Sequence, residues 1–308
     1  MTTALITHAA GLEHVTPPGH VEQVARLERI LAALEGKDVQ WTEAPMGQDA
    51  DILSVHPKAH LEAIRAAAPE SGMVQIDGDT YMSPGSLEAA FRAVGGAVEA
   101  VDMVMGGRAT NAFVAMRPPG HHAEQTTPMG FCFFGNVAIA AKRALDHHGA
   151  GRVAIVDFDV HHGNGTQALL WDEPRAFFCS SHQRPLWPGS GARHETGASG
   201  NILNVPLPPG SDGARFRAEM ERQVWPRIVE HDPDLILISA GFDAHRADPL
   251  ADLNWTEADF AWATDAICDL ADTHCGGRIV SCLEGGYDLD ALAASAAAHV
   301  DVLIARGG

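Results

Sequence analysis

The chain is predicted to adopt an α/β fold in which helices cover both faces of a mainly parallel sheet. Short apolar runs rich in β-branched residues alternate with longer segments of helical period throughout the 308 residues. Two of these runs, at 152–156 and 234–243, are apolar enough to indicate strands buried on both faces. No repeat or low-complexity tract divides the sequence, so we expect residues 1–308 to form a single domain.

The helices follow from periodicity and from the residues that end them. Apolar residues recur every three or four positions from Val21 to Leu34, which predicts a helix that ends at Gly36. Pro69 ends a second predicted helix at 56–68. The other predicted helices span 86–105, 136–148, 166–171, 214–230, 257–274 and 289–305.

Strands are predicted between these helices, and residues 4–7 are expected to form an edge strand. The other predicted strands are 39–42, 111–116, 152–156, 176–180, 202–205, 234–243 and 278–283. Stretches without a regular pattern predict loops at 11–19, 72–85 and 181–200. Because loops of that last length are uncommon in compact domains, we expect it to be functional.

The charge, the cysteine content and the hydrophobic runs of the sequence limit the partners and the compartment that we expect for the protein. The chain has 21 Lys and Arg against 40 Asp and Glu, a net charge of −19, which repels nucleic-acid phosphates and favours cationic substrates. Five cysteines without Cys-x-x-Cys spacing argue against a disulfide framework or a thiolate zinc site. We see no export signal and no run of membrane-spanning length. We therefore expect a soluble cytoplasmic protein with no nucleic-acid or membrane partner, and leave a homo-oligomer open.

The stretch Asp157-Phe-Asp-Val-His-His-Gly-Asn-Gly165 places carboxylates and imidazoles directly after a buried strand, where α/β sheets bind ligands. Asp159 and His161 are one residue apart, so in an extended segment both side chains point to the same face. Asp243, at the end of another buried strand, would complete a site with three protein ligands and an open position, the pattern of catalytic zinc. Taken singly, Asp159 is better explained by a helix cap or an ion pair, and His161 by an ordinary hydrogen-bonded polar residue.

A histidine pair, His121 and His122, follows the predicted strand at 111–116 and two prolines that force a turn. Water on zinc has a pKa of about 7 and needs a base nearby, which an imidazole can be. Asp157 and Asn164 are available to orient the two rings. An amide stabilises an imidazolium less than a carboxylate does, so we expect the histidine beside Asn164 to have the lower pKa.

The segment Glu284-Gly-Gly-Tyr287 follows the last predicted strand as a flexible turn. Tyr287 can donate its phenol to a developing oxyanion, a role in which one donor contributes about 3 kcal/mol. The simpler alternative is an ordinary tyrosine at a hinge.

Taken together, four segments resemble the zinc-dependent histone deacetylase family, in particular bacterial class II-like members and acetylpolyamine amidohydrolases. They are Arg117-Pro-Pro-Gly-His-His122, Asp157 to Gly165, Ser239-Ala-Gly-Phe-Asp243 and Glu284-Gly-Gly-Tyr287. The resemblance runs from about His14 to near the C-terminus. It implies the three-layer α/β/α arginase-deacetylase fold and hydrolysis of an acylated amine with one zinc ion per chain.

The resemblance also assigns roles by matching position. His122 would be the main general base and acid, His121 with Asp157 would tune the electrostatics, and Tyr287 would polarise the acyl carbonyl. Asn164 stands where class I members have aspartate, as in class II enzymes. The implied zinc ligands are Asp159, His161 and Asp243.

Two further sets of residues follow from the same resemblance. The walls of an acyl-lysine tunnel are expected to include Gly130, Phe131, Trp187, Leu250, Gly285 and Gly286. A structural potassium ion is expected to bind Asp157, Ser180, Ser181 and the backbone of Asp159 and His161.

Two classes of acylated amine remain as candidate substrates. Polyamine-preferring relatives carry glutamate where this chain has Leu250, which favours an acyl-lysine peptide or a similar acylamide, whereas the net charge favours acetylpolyamines. A binuclear manganese ureohydrolase shares the fold, but His162 and Asn164 do not supply the ligands of a second metal. A non-catalytic acyl-lysine binder is the third alternative.

Overall fold

The computed structural model describes residues 2–307. Its strands are β1 (Thr3–Thr7), β2 (Gln40–Glu43), β3 (Val74–Gln75), β4 (Tyr81–Met82), β5 (Asn111–Val114), β6 (Val153–Asp157), β7 (Ala176–Gln183), β8 (Ile202–Leu207), β9 (Leu235–Ala240) and β10 (Ile279–Leu283). Its α-helices are α1 (Ala10–Glu13), α2 (Val24–Leu34), α3 (Asp49–Ile52), α4 (Lys58–Ala67), α5 (Ser86–Met105), α6 (Asn136–Lys142), α7 (Asn164–Leu169), α8 (Gly213–Glu219), α9 (Trp225–His231), α10 (Glu257–Cys275) and α11 (Leu289–Arg306).

Eight strands form one parallel sheet in the order β2-β1-β5-β10-β9-β6-β7-β8. Strand β1 pairs on both sides, so the prediction of an edge strand at residues 4–7 is wrong. The run Ala4 to Ile6 is fully buried because helices cover both of its faces, whereas the edge strand β2 is polar and mostly exposed.

Strand β6 illustrates how the sheet is covered. Ala154 and Val156 pack into one apolar cluster with residues of α2, α10 and α11, whereas Val153 and Ile155 pack into another with residues of α5 and α6. All four side chains are fully buried, as expected of a strand with helices on both faces. The predicted α/β fold with a three-layer arrangement is therefore confirmed.

The sheet order brings the sequence motifs together. Strands β5, β10, β9 and β6 are consecutive neighbours and run parallel. Their carboxyl ends therefore meet at one edge of the sheet. The segments that follow them contain the histidine pair, the Gly-Gly-Tyr turn, Asp243 and the Asp-x-His stretch.

Several boundaries of strands and helices differ from the predicted ones. In one case the reason is that a neighbouring strand extends the hydrogen-bond ladder. Strand β7 continues to Gln183, since β8 pairs with it as far as the contact between Gln183 and Leu207. Ser180 and Ser181 therefore lie inside a strand, and the predicted loop at 181–200 begins later. Helix α7 begins at Asn164, two residues before the predicted start.

Other differences concern local turns. The stretches predicted as loops at 11–19 and 72–85 contain part of helix α1 and the β3–β4 hairpin. The helices predicted at 136–148 and 214–230 include π-helical turns at Arg143–His147 and Met220–Val224.

The five thiols are free and buried, at Cys132, Cys179, Cys268, Cys275 and Cys282. Burial raises the pKa of Cys268 to about 12 and that of Cys275 to about 11, and it raises the pKa of Cys179 and Cys282 further still. Thiols of this kind are structural apolar residues. No helix among residues 2–307 is long and apolar enough to cross a bilayer.

Candidate active site

Asp159, His161 and Asp243 form a compact group at the carboxyl edge of the sheet. Each offers a ligand atom, and these atoms lie within 4.8 Å of one another. His161 Nδ1 is 3.0 Å from Asp243 Oδ2 and 3.2 Å from Asp159 Oδ1. All three residues are buried. The sequence thus correctly placed these three residues close together.

The backbone holds the two carboxylates in position. Val160 N–H donates to Asp243 Oδ1 at 2.8 Å, and Gly285 N–H donates to Asp159 Oδ2 at 2.8 Å. A Cβ atom on Gly285 would lie only 2.3 Å from Asp243 Oδ2 and 2.6 Å from Asp159 Oδ2. Glycine is therefore required where the loop after β10 approaches these acids.

The three side chains concentrate negative charge in a buried place. Burial, together with the Asp159 carboxylate, raises the pKa of Asp243 to about 7. Although burial opposes it, the hydrogen bonds that the His161 ring donates to the two carboxylates raise the pKa of His161 to about 10. Two buried carboxylates at this spacing favour a positive charge close to them. Two carboxylates and one imidazole are also a donor set that zinc accepts, so these residues fit a divalent cation.

His121 and His122 lie beside this group, with ring centres 3.9 Å apart and ring planes tilted by 43°. His121 Nδ1 lies 3.0 Å from Asp157 Oδ2, and His122 Nδ1 lies 2.7 Å from Asn164 Oδ1. Burial lowers the pKa of His121, but the carboxylates of Asp159, Asp157 and Glu284 outweigh it and raise that pKa well above its usual value. Burial and the neighbouring imidazoles hold the pKa of His122 well below its usual value. This is the order expected from the sequence.

Glu284 connects three of the motifs, a role that was not predicted from the sequence. Its Oε2 accepts the backbone N–H groups of Gly120 at 2.7 Å and His121 at 3.1 Å, and its Oε1 accepts the Ser239 hydroxyl at 3.1 Å. Burial raises the pKa of Glu284 to about 7. Its presence in a motif was the only available signal, because none of its partners lies near it in the sequence.

Tyr287 is fixed by contacts on several sides. Its backbone N–H donates to Asp248 Oδ2 at 2.7 Å, and Asp248 Oδ1 accepts the N–H of Leu250 at 3.0 Å. Its ring meets the Phe131 ring edge-on, with centres 5.8 Å apart. Burial raises the pKa of the Tyr287 phenol well above its usual value, so the hydroxyl keeps its proton as a hydrogen-bond donor.

A buried ion cluster supports the same loop, and the sequence patterns did not reveal it. Glu22 accepts hydrogen bonds from Arg117 Nη2 at 2.6 Å and from Arg26 Nη1 at 3.1 Å. Arg26 also donates to the carbonyls of Glu284 and Gly286, each at 2.6 Å. All of these side chains are fully buried. The N-terminal segment is thereby tied to the Gly-Gly-Tyr turn.

Three of the residues predicted to line a tunnel, Gly130, Phe131 and Trp187, lie beside His122 and Tyr287. The Trp187 ring centre lies 4.7 Å from that of His122, and Trp187 is 42% exposed, so it also faces solvent. A Cβ atom on Gly130 would lie 2.5 Å from His122 Cδ2 and 2.6 Å from Trp187 Cη2. Phe131 adopts a φ of 69°, and its N–H donates to Thr80 Oγ1 at 3.0 Å.

Three of the residues expected to bind potassium lie on two adjacent strands, whereas Asp159 and His161 follow the end of β6. Asp157 at the end of β6 is in register with Ser180 of β7. Ser180 Oγ lies 3.0 Å from His182 Nδ1. Ser181 Oγ is buried and has no hydrogen-bond partner among residues 2–307.

Asp102, His147 and His148 form a second group with metal-ligand atoms close together. Its carboxylate is already engaged, because Arg143 donates to both Asp102 oxygens at 2.8 and 2.7 Å. His148 Nε2 lies 2.7 Å from Asp102 Oδ1. This partly exposed group is an ion-pair cluster, and it lacks the paired carboxylates of the buried site.

The structure combines a parallel sheet with an Asp-His-Asp group at one edge of that sheet. The chain belongs to the histone deacetylase family. The histone deacetylase domain matches residues 20–303. The chain is 43% identical to an uncharacterized protein of Synechocystis over 299 residues, which cover 95% of this chain and 96% of that protein. It is 38% identical to the histone deacetylase-like amidohydrolase of Pseudomonas aeruginosa, over 91% of this chain and 78% of that one.

A solved structure gives the same answer. The crystal structure of the HDA15 HD domain superimposes with a TM-score of 0.94 and 33% sequence identity, over 99% of this chain and 88% of that chain. The resemblance and the fold expected from the four motifs are therefore confirmed.

Proposed function

We propose that this chain is a zinc-dependent amidohydrolase that removes an acyl group, such as acetyl, from an amine. The observation that carries the proposal is the convergence of Asp159, His161 and Asp243, whose ligand atoms lie within 4.8 Å of one another in a buried position. Membership of the histone deacetylase family supports the reaction class. The name of the Pseudomonas aeruginosa relative, an amidohydrolase, agrees with it.

Asp159, His161 and Asp243 would hold one zinc ion per chain. Zinc bound there would supply a Lewis acid for the acyl oxygen and a bound water with a pKa near 7. His122 takes a proton from the nucleophile and returns it to the leaving amine, because its low pKa leaves the ring neutral. Its Nδ1 is held by Asn164, so Nε2 carries the free lone pair.

Two other side chains complete the proposed reaction. The Tyr287 hydroxyl donates a hydrogen bond to the acyl oxygen as negative charge develops there, since burial keeps the phenol protonated. His121, paired with Asp157, remains positively charged and favours the negative charge of the transition state. Gly285 and Gly286 provide the close backbone approach that brings Tyr287 to the acyl group.

The potassium site is part of the same proposal. Asp157 and Ser180 would supply side-chain oxygens, and the backbone of Asp159 and His161 would supply carbonyls. Ser181, whose buried hydroxyl lacks a partner among the described residues, lies beside them on β7. A monovalent cation there would offset part of the charge of the buried acids.

For the substrate we favour an acyl-lysine peptide or a similar acylamide over an acetylated polyamine. Trp187 and Phe131 lie beside His122 and Tyr287 as flat apolar walls suited to an alkyl chain. Leu250 offers no carboxylate to a second amine. The net charge of −19 is the observation that favours acetylpolyamines.

The deciding experiment assays the purified protein, with its metal content measured, on a panel of acylated lysine peptides, acetylputrescine, acetylspermidine and small acylamides. We expect hydrolysis that is lost with a chelator and restored by one equivalent of zinc, with the highest kcat/KM on acetyl-lysine. The opposite ranking of kcat/KM would assign the polyamine activity. Two manganese ions per chain would indicate a ureohydrolase, and zinc binding without turnover would indicate an acyl-lysine binder.

A further inference from the structure

Asn164 poses a chemical problem that an aspartate at this position would not. A carboxylate presents an acceptor oxygen whichever way it rotates, whereas an amide presents an acceptor at one end and a donor at the other. If the amide of Asn164 turned over, its NH₂ would face His122 Nδ1. That nitrogen would then lose its proton, and the proton would move to Nε2, where the general base needs a free lone pair.

Glu124 lies where it can prevent this rotation. Its Oε1 accepts a hydrogen bond from Asn164 Nδ2 at 2.8 Å, while Asn164 Oδ1 faces His122 Nδ1 at 2.7 Å. The Met129 sulfur, a weak acceptor, is 3.4 Å from the same amide nitrogen. An ionised carboxylate can only accept hydrogen bonds, so it selects the orientation in which the NH₂ faces Glu124 and the carbonyl oxygen faces His122.

We propose that Glu124 is a positioning residue that fixes the tautomer of His122 through the amide of Asn164. The inference rests on the proposed function in so far as His122 is the general base. Glu124 itself hydrogen-bonds with Asn164 and forms no hydrogen bond or ion pair with Asp159, His161 or Asp243. It lines an open surface cavity of about 470 Å³ with Asn164, Gln167 and Ser190, on the far side of Asn164 from His122.

Kinetics of variants provide the first test. Glu124→Ala should lower kcat on an acetyl-lysine peptide about tenfold, a typical effect of losing a supporting hydrogen bond behind a catalytic group. KM should stay within about twofold, because the residue lies outside the tunnel. Glu124→Gln should give an intermediate kcat, since its amide oxygen can still accept from Asn164 but its amide can also turn over.

A sharper test measures the effect of Glu124→Ala on kcat in a variant that should no longer need Glu124. In an Asn164→Asp background the acceptor facing His122 no longer needs orienting, and Glu124 would sit against a second carboxylate. Adding Glu124→Ala to Asn164→Asp should therefore leave kcat unchanged or raise it. A merely structural role for Glu124 would lower kcat in both backgrounds, and that result would overturn the proposal.

Asp172→Ala is the matched control. Asp172 is an exposed carboxylate that lines the same cavity, and its removal changes the charge there by the same amount without loss of a contact to Asn164. Its kcat should equal that of the wild type. If Asp172→Ala lowered kcat as much as Glu124→Ala, the effect would be one of charge and the positioning role would be wrong.

A second readout does not depend on turnover. In zinc-loaded protein with ¹⁵N-labelled histidine, NMR reports which ring nitrogen carries the proton, and the signals of His122 are assigned by their loss in His122→Gln. The wild type should have the proton on Nδ1, and Glu124→Ala should move part of the population to Nε2. An unchanged tautomer with normal activity overturns the positioning role alone. A changed tautomer in a protein inert on all substrates supports the role and contradicts the proposed function.

Discussion

The guanidinium carbon of Arg26 lies 4.9 Å from the centre of the Tyr287 ring. The same guanidinium donates to the carbonyls of Glu284 and Gly286. Arg26 therefore contacts the Gly-Gly-Tyr turn on both sides of its glycines. A turn with two glycines loses much entropy when it is ordered, so its geometry depends on such external contacts.

Replacement of Arg26 should both destabilise the protein and slow the reaction. Arg26→Gln removes a fully buried partner of Glu22, and breaking such a pair typically costs about 3–5 kcal/mol. Urea unfolding measures the loss of stability, and kcat under folding conditions measures the loss of Tyr287 alignment. Arg29→Gln is the control, because its exposed ion pair with Asp290 should contribute less than about 1 kcal/mol. Equal effects of the two variants would contradict the buried role.

Tyr287→Phe should lower kcat about 100-fold, the effect of removing one well-aimed donor worth about 3 kcal/mol. Zinc content and KM should change little, because the hydroxyl acts on charge that develops during the reaction. The chain has two tyrosines, and Tyr81→Phe serves as the matched control with unchanged kcat. Full activity of Tyr287→Phe would remove the oxyanion role.

Asp159→Ala should abolish zinc binding together with activity. Loss of one of three ligands leaves an incomplete donor set, since catalytic zinc requires three protein ligands. Metal analysis after dialysis against equimolar zinc should find about one ion per chain in the wild type and almost none in the variant. Asp102→Ala, which disrupts the surface ion-pair cluster, should retain the full zinc content. Equal zinc in Asp159→Ala and the wild type would refute the assignment.

Leu250→Glu should shift the substrate preference towards acetylated polyamines. The Leu250 backbone is held by Asp248, which also holds Tyr287, so a carboxylate at position 250 would sit close to the acyl site. There it would pair with a second cationic amine. The measured quantity is the ratio of kcat/KM for acetylspermidine to that for an acetyl-lysine peptide, which should rise about tenfold, or about 1.4 kcal/mol. Leu250→Gln, of similar size without charge, should leave the ratio unchanged.

Stability should fall as the pH falls below about 6.5, in part because of His299. This ring is fully buried between Thr264 Oγ1 at 2.7 Å and Ser281 Oγ at 2.9 Å, and burial lowers its pKa from 6.5 to about 3. Between those values the unfolded chain binds a proton at this position and the folded chain does not. Acidification therefore favours unfolding, by up to about 1.4 kcal/mol per pH unit.

His299→Gln tests this linkage. The amide can hydrogen-bond with both hydroxyls but cannot be protonated in this range, so the free energy of unfolding should depend less steeply on pH between about 4 and 6. His147→Gln, at an exposed position, should leave the slope unchanged. Parallel pH profiles for His299→Gln and the wild type would exclude His299 as a contributor.

The sequence predicted that Asp159, His161 and Asp243 lie close together, because strand ends are easy to recognise. Asp159 and Asp243 each follow an apolar run that could only be a buried strand, and such runs end at one edge of a parallel sheet. The pairing of His121 with Asp157 and of His122 with Asn164 also agrees with expectation. The positions of the two acids follow from a local pattern, whereas the pairing of His121 with Asp157 follows from the family resemblance.

The supporting residues could not be predicted in the same way. Arg26 interrupts the apolar face of α2, so the local sequence predicts that it is exposed. Its hydrogen-bond partners Glu284 and Gly286 lie more than 250 positions away in the sequence. Glu284 accepts a hydrogen bond from the backbone N–H of His121, and no local pattern predicts such a contact. The misplacement of residues 4–7 at an edge has the same origin, because strand order depends on contacts that no local pattern records.

The burial of all five cysteines makes the protein convenient to label. Because their sulfurs are shielded and hold their protons tightly, maleimide dyes should react slowly with the native fold. A single cysteine introduced at the exposed Gln125 or Arg184 would then be the one fast-reacting position. Fluorescence from such a probe could follow ligand entry without first removing any native sulfur.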